Sequence, residues 1–128
     1  MIKIIKNGKV VNEGHIQPCD IVIENDKIAA IENCAKSNKA EEIIDAKDCY
    51  IFPGVIDTHV HFRDPGFTHK EDIETGTKSA AMGGITSVAC MPNTKPVIDN
   101  EAVVTYIKSK AKEVGYVNVY PIGAISKG

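Results

Sequence analysis

Two histidines one residue apart, His59-Val60-His61, are the side chains of this sequence best suited to chemistry. They close an apolar run, Val55-Ile-Asp-Thr-His-Val-His-Phe62, that is bounded by Pro53-Gly54 and by a polar stretch from Arg63 to Phe67. Alternate side chains of a strand share a face, so Asp57, His59 and His61 project together and the two imidazoles can converge on one metal ion. On spacing alone, a chance pair and a metal site weigh equally. Position favours the metal, because α/β sheets and barrels gather ligands at the carboxyl ends of their strands. Asp57 has two readings: an acceptor that orients an imidazole, or a structural group at the strand entrance. Arg63 follows on the same side if the extended backbone continues for two more residues. A guanidinium there suits bidentate capture of a substrate carboxylate, against the commoner fate of a solvated loop arginine. Asn93, in Met91-Pro-Asn-Thr94, can donate to a carboxylate or a ring carbonyl, although Asn in such a turn is more often turn chemistry. His69 and His15 read as surface residues.

The elements that must position these groups alternate. After the strand that carries the histidines, Thr68-His-Lys-Glu71 has the form of a capping box and predicts a helix from about residue 69 to Met82, stopped by Gly83-Gly84. Ile85 to Met91 reads as a second strand and Pro92 to Ile98 as a loop. Asp99 is the expected cap of a second helix, whose face is Val103, Ile107, Ala111 and Val114, with Lys108, Lys110 and Lys112 outside it and Gly115 as its stop. Tyr116 to Ile125 supplies a third apolar strand. Strand, helix, strand, helix, strand is the order of right-handed βαβ units in a parallel sheet. Residues 1–52 differ in character. Asn7-Gly8 and Asn25-Asp26, each between short β-runs, predict two hairpins; residues 33–41 read as a loop, and Ile43-Ile44 and Tyr50 to Phe52 as further strand. This is a small antiparallel β-unit that needs a partner sheet.

Composition narrows the function classes. At 43% hydrophobic and 25% charged residues, the chain matches globular averages, and its formal charge of -2 gives no electrostatic case for nucleic acid or an anionic membrane. No apolar run reaches the roughly 18 residues that span a bilayer, and Met1-Ile-Lys-Ile-Ile-Lys6 turns polar too early for a secretory signal. Cys19, Cys34, Cys49 and Cys90 form no C-x-x-C pair and read as reduced thiols. A cytoplasmic protein is expected.

The motifs together resemble a known family. Pro53-Gly-Val-Ile-Asp-Thr-His-Val-His-Phe-Arg-Asp-Pro-Gly66, then Glu74-Thr-Gly-Thr-Lys-Ser-Ala-Ala-Met-Gly-Gly-Ile-Thr-Ser-Val88 and Met91-Pro-Asn-Thr94, closely resemble dihydroorotases of the amidohydrolase superfamily. The likeness implies the start of a metal-dependent (β/α)8 TIM-type barrel at residues 53–128, preceded by part of a small β-sandwich domain at 1–52. It implies reversible ring closure between N-carbamoyl-L-aspartate and L-dihydroorotate in pyrimidine biosynthesis. His59 and His61 would ligate zinc in a one- or two-metal centre, and His61, Arg63 and Asn93 would contact the substrate. The metal would acidify a water and polarise the amide carbonyl, and a late Asp would carry the proton. That Asp and the remaining ligands are expected beyond residue 128.

A complete barrel needs eight strands and about 250 residues, so the 128 residues read as an inactive N-terminal fragment of a dihydroorotase. The implied partner is a small-molecule substrate, with a homo-oligomer as one form of the intact protein. Three other readings compete. Hydantoinases and allantoinases share the histidine pair but generally lack counterparts of Arg63 and the Met-Pro-Asn-Thr turn. A non-catalytic assembly partner tends to lose metal ligands. A self-sufficient binding module would need a capped polar edge after its third strand, whereas Ser126-Lys127-Gly128 directly follow an apolar run.

Overall fold

The computed structural model describes residues 1–36, 38 and 40–127, which divide into a first unit, Met1–Pro53, and a second, Gly54–Gly128. In the first unit β1 (Ile2–Lys6), β4 (Asp20–Glu24), β5 (Lys27–Glu32) and β6 (Glu42–Asp45) form one sheet in the order β5-β4-β1-β6. A second sheet, ordered β3-β2-β7, contains β2 (Lys9–Asn12), β3 (His15–Pro18) and β7 (Tyr50–Ile51). Asn25 and Asp26 take φ of 49° and 65° and join β4 to β5 as the expected hairpin. The hairpin expected at Asn7-Gly8 does not form, because β1 and β2 lie in different sheets. Asn7 is held at φ 66° by its backbone N–H on Asp20 Oδ1 (3.2 Å) and its Nδ2 on Asp45 Oδ1 (2.8 Å). A Cβ at Gly8 would stand 2.3 Å from Ile51 Cδ1, so this step passes the chain from one sheet to the other under a packed side chain. β2 instead pairs with β3 across Glu13-Gly14. Nor is the unit wholly antiparallel: β6 runs parallel to β1, and β7 parallel to β2. Val10, Cys19 and Ile21 form a buried cluster with Ile5, Ile23 and Ile51 packed on it, and Ile4 of β1 is buried as well. The 33–41 stretch holds neither strand nor α-helix in its described part; Ser37 and Lys39 lie outside the described residues.

The second unit alternates as the sequence predicts: β8 (Val55–Val60), α1 (Ile73–Met82), β9 (Ile85–Cys90), α2 (Glu101–Val114) and β10 (Asn118–Pro121). Its strands are parallel in the order β10-β9-β8. Both helix starts differ from expectation. α1 begins at Ile73 because Asp72, not Thr68, is the cap: Asp72 Oδ1 accepts the Thr75 N–H at 2.8 Å, and Thr75 Oγ1 in turn accepts the Asp72 N–H. Thr68 to Lys70 form a turn closed by the Lys70 N–H on the Phe67 carbonyl. α2 is capped by Asn100, whose Oδ1 accepts the Val103 N–H at 3.2 Å, rather than by Asp99. β10 is shorter than the predicted strand: its last ladder bond is the Ile122 N–H on the Cys90 carbonyl of β9, after which the Ala124 N–H donates to the Ile98 carbonyl.

Val103 and Ile107 of α2 and Ile73 of α1 are buried with Phe62, Val88 and Ile98 in one core. Burying each such aliphatic side chain contributes about 1.5–3 kcal/mol. β8 and β10 are open edge strands on which Val55, Ile56 and Tyr120 stay exposed. No helix among the described residues is long and apolar enough to cross a membrane.

Candidate active site

The carboxyl ends of β8 and β9 build one rim. From Asp57 to Val60, β8 takes one residue more than β9 takes from Val88 to Cys90, which is a bulge. The bulge leaves the His59 N–H without a ladder partner, and Asp57 Oδ1 accepts it at 3.0 Å. Asp57 Oδ1 thus anchors the backbone of His59. His59 and His61 are both exposed, with ring centroids 5.1 Å apart and planes inclined at 64°.

His61 Nδ1 lies 2.9 Å from Asn93 Oδ1. With the amide oxygen facing the ring, Nδ1 is the donor and Nε2 would keep its lone pair. Turned the other way, the amide would donate to Nδ1, put the proton on Nε2 and remove that nitrogen as a ligand. Asn93 Nδ2 makes no hydrogen bond among the described residues. Its loop is fixed from both sides: the Met91 N–H donates to the Val60 carbonyl at 2.9 Å, and the buried Thr94 donates from Oγ1 to the Pro96 carbonyl at 2.7 Å.

The extended backbone does not continue to Arg63. β8 ends at Val60, and Arg63 takes φ 62° in a turn where its carbonyl accepts the Phe67 N–H at 2.8 Å. The alternation that put Arg63 on the imidazoles' side therefore fails. Its half-buried side chain makes no hydrogen bond or ion pair among the described residues. His69 is exposed against Phe67, and His15 is exposed on β3.

Next to Arg63 is a group that sequence reasoning missed. The Asp64 side chain is fully buried; Lys110 Nζ sits 2.6 Å from its Oδ2, and Tyr106 OH donates to its Oδ1 at 3.0 Å. Lys110 is thus an ion-pair partner of a loop carboxylate, not the solvated lysine its place on α2 suggested. The Asp64 hydrogen bond raises the Lys110 pKa above the ordinary lysine value. Burial, then the same carboxylate, raise that of Tyr106. The one available sequence signal was the i, i+4 spacing of Tyr106 and Lys110, which puts them on one helix face.

The Thr75-Gly-Thr77 motif is scaffolding for this rim. Thr75 completes the cap of α1 and also bonds Glu71. Gly76 leaves room for the ring of Phe62, the residue after His61: a Cβ there would lie 2.5 Å from Phe62 Cδ1 and Cε1. Thr77 is buried, donates to the Ile73 carbonyl at 2.6 Å and accepts the Tyr116 N–H at 3.2 Å.

The donor set fits part of a metal site. A neutral imidazole held through Nδ1–H by an amide or carboxylate is the form that ligates zinc through Nε2, and the Asn93 contact would hold the His61 ring in the orientation that form needs. No group of three or more His, Cys, Asp or Glu side chains among the described residues could hold a metal ion, so His59 and His61 would be at most two of the four donors zinc takes.

Known proteins share this fold and much of this sequence. The structure is similar to an L-hydantoinase from Arthrobacter aurescens, with a TM-score of 0.87 and 32% identity over 94% of this chain and 27% of that one. It is also similar to a dihydropyrimidinase from Brevibacillus agri, with a TM-score of 0.82 and 30% identity over 100% of this chain and 28% of that one. The fold is that of the N-terminal part of hydantoinases and related amidohydrolases. In sequence the chain is 57% identical to a dihydroorotase of Acetivibrio thermocellus, covering 98% of this chain and 30% of the relative. It is 53% identical to a dihydroorotase of Ruminiclostridium cellulolyticum, covering 98% and 29%. Residues 49–128 match the model of the family described as Dihydro-orotase-like, and the chain belongs to that family. It spans about 30% of the length of the curated relatives it matches.

Proposed function

We propose that residues 53–128 are the metal- and carboxylate-binding part of a zinc-dependent cytoplasmic dihydroorotase with a (β/α)8 barrel. The enzyme would interconvert L-dihydroorotate and N-carbamoyl-L-aspartate in pyrimidine biosynthesis, with the general base and further ligands outside these 128 residues, which alone are inactive. The observation that carries this reading is the His61–Asn93 hydrogen bond. With the amide oxygen on Nδ1, this one contact would leave His61 Nε2 for a metal and Asn93 Nδ2 for the substrate. His59 and His61 would hold the metal, which when bound supplies polarisation of the amide carbonyl and a water acidified towards neutral pH. Arg63 and Asn93 would donate to the substrate carboxylate, Arg63 with a charge-assisted bond for which it has no competing protein partner.

A second reading, hydantoinase, is favoured by the backbone likeness to the Arthrobacter aurescens enzyme. Arg63 and Asn93 favour dihydroorotase, because a hydantoin ring lacks the carboxylate they would bind. The test is turnover of dihydroorotate against hydantoin by a chain of the relatives' length that carries these residues.

A further inference from the structure

We infer that Lys110 is a positioning residue: by neutralising buried Asp64 it keeps the neighbouring Arg63 guanidinium free to bind an anionic ligand. The carboxylate identity of that ligand rests on the reading above; the charge competition does not. Asp64 is buried with each oxygen taken, Oδ2 by Lys110 and Oδ1 by Tyr106. A buried carboxylate needs a counter-charge, and breaking such a pair leaves a charge that recruits another cation or distorts the site. Arg63, adjacent in the chain, half-buried and without a hydrogen-bond or ion-pair partner among the described residues, is a cation able to respond. Its turn is already fixed on other sides. The Lys95 N–H donates to the Pro65 carbonyl at 3.0 Å, and Gly66, at φ 94°, packs so closely that a Cβ would lie 2.1 Å from the Lys95 carbonyl oxygen. The loop backbone therefore has little room to relax, and the flexible guanidinium is the part that can swing. Lys110 lies on α2, so the helix and the anion-binding rim are coupled through charge.

The experiment uses Lys110→Met, Asp64→Asn and the double variant in a chain of the relatives' length, with two readouts. Phenylglyoxal labelling of Arg63, read by mass spectrometry, reports the free guanidinium without any need for activity. KM and kcat for dihydroorotate report its use. Lys110→Met should slow Arg63 labelling about tenfold and raise KM about tenfold, with kcat and zinc content unchanged, and adding Asp64→Asn should restore both. Lys110→Gln, which keeps a donor to Asp64 but no charge, carries the same expectation if the methionine variant does not fold. Unchanged Arg63 labelling in the single variant, or no recovery in the double, overturns the inference and points to a merely structural pair. If the wild type leaves dihydroorotate untouched while the labelling pattern holds, the proposed activity falls and the charge competition stands.

Discussion

Replacing Gly76 by Ala sets two effects of opposite sign against each other. In a helix interior the change gains about 1 kcal/mol of propensity, and nothing in the φ of Gly76 requires glycine. Against this, the new Cβ would lie 2.5 Å from two atoms of the Phe62 ring, where contacts of about 3.5–4 Å are ordinary. The ring is 5% exposed and sits in the same core as Ile73, Ala80 and Val88, so it cannot yield by about 1 Å without displacing them. Overpacking of this kind costs about 1–3 kcal/mol, and with two ring atoms engaged the upper half applies. The net expectation is a loss of about 1–2 kcal/mol. It is measured as the denaturant midpoint of a chain of the relatives' length and repeated in a Phe62→Leu background. There the obstructing ring is gone, and Gly76→Ala should become neutral or stabilising. A stabilised Gly76→Ala in the wild-type background, or equal losses in both backgrounds, would refute the role given to this glycine.

Arg63→Met should weaken dihydroorotate binding about tenfold to hundredfold, the worth of one charge-assisted bond, with zinc content unchanged; loss of zinc without a kinetic effect contradicts the assignment. Asp72→Ala should cost about 1 kcal/mol as a lost helix cap. The Thr75 backbone N–H holds the Asp72 carboxyl below its ordinary value. A pKa lowered by folding contributes fully above the unfolded value of about 4 and is lost as pH falls through the folded one. The stability gap between wild type and Asp72→Ala should therefore be constant from neutral pH to about 4 and close below it, and a gap that widens in acid would contradict the cap.

Local pattern made much of this molecule legible. The 3.6-residue spacing of Val103 and Ile107 gave the buried face of α2, and the alternation of apolar runs with helix signals gave the parallel strands of the second unit. Asn25-Asp26 carried its hairpin because the positive φ values are local properties. Asn7-Gly8 has the same local chemistry and a different outcome, decided by Asp20, Asp45 and Ile51 from distant parts of the chain. The site divides in the same way. His59, His61 and Asn93 could be read from strand-end position, and the structure brings the last two into contact. A one-residue bulge then assigned Asp57 to the backbone, and the left-handed turn at Arg63 broke the alternation that had placed it. The Asp64–Lys110 pair spans 46 residues and leaves no local trace.

The central claim is that this rim serves a dihydroorotase, and steady-state turnover by a chain of the relatives' length tests it most directly. Ring opening of dihydroorotate in clear preference to hydantoin, abolished by His61→Ala, is the expected result. Efficient turnover of hydantoin with dihydroorotate untouched, or dihydroorotate turnover that survives His61→Ala, would contradict it.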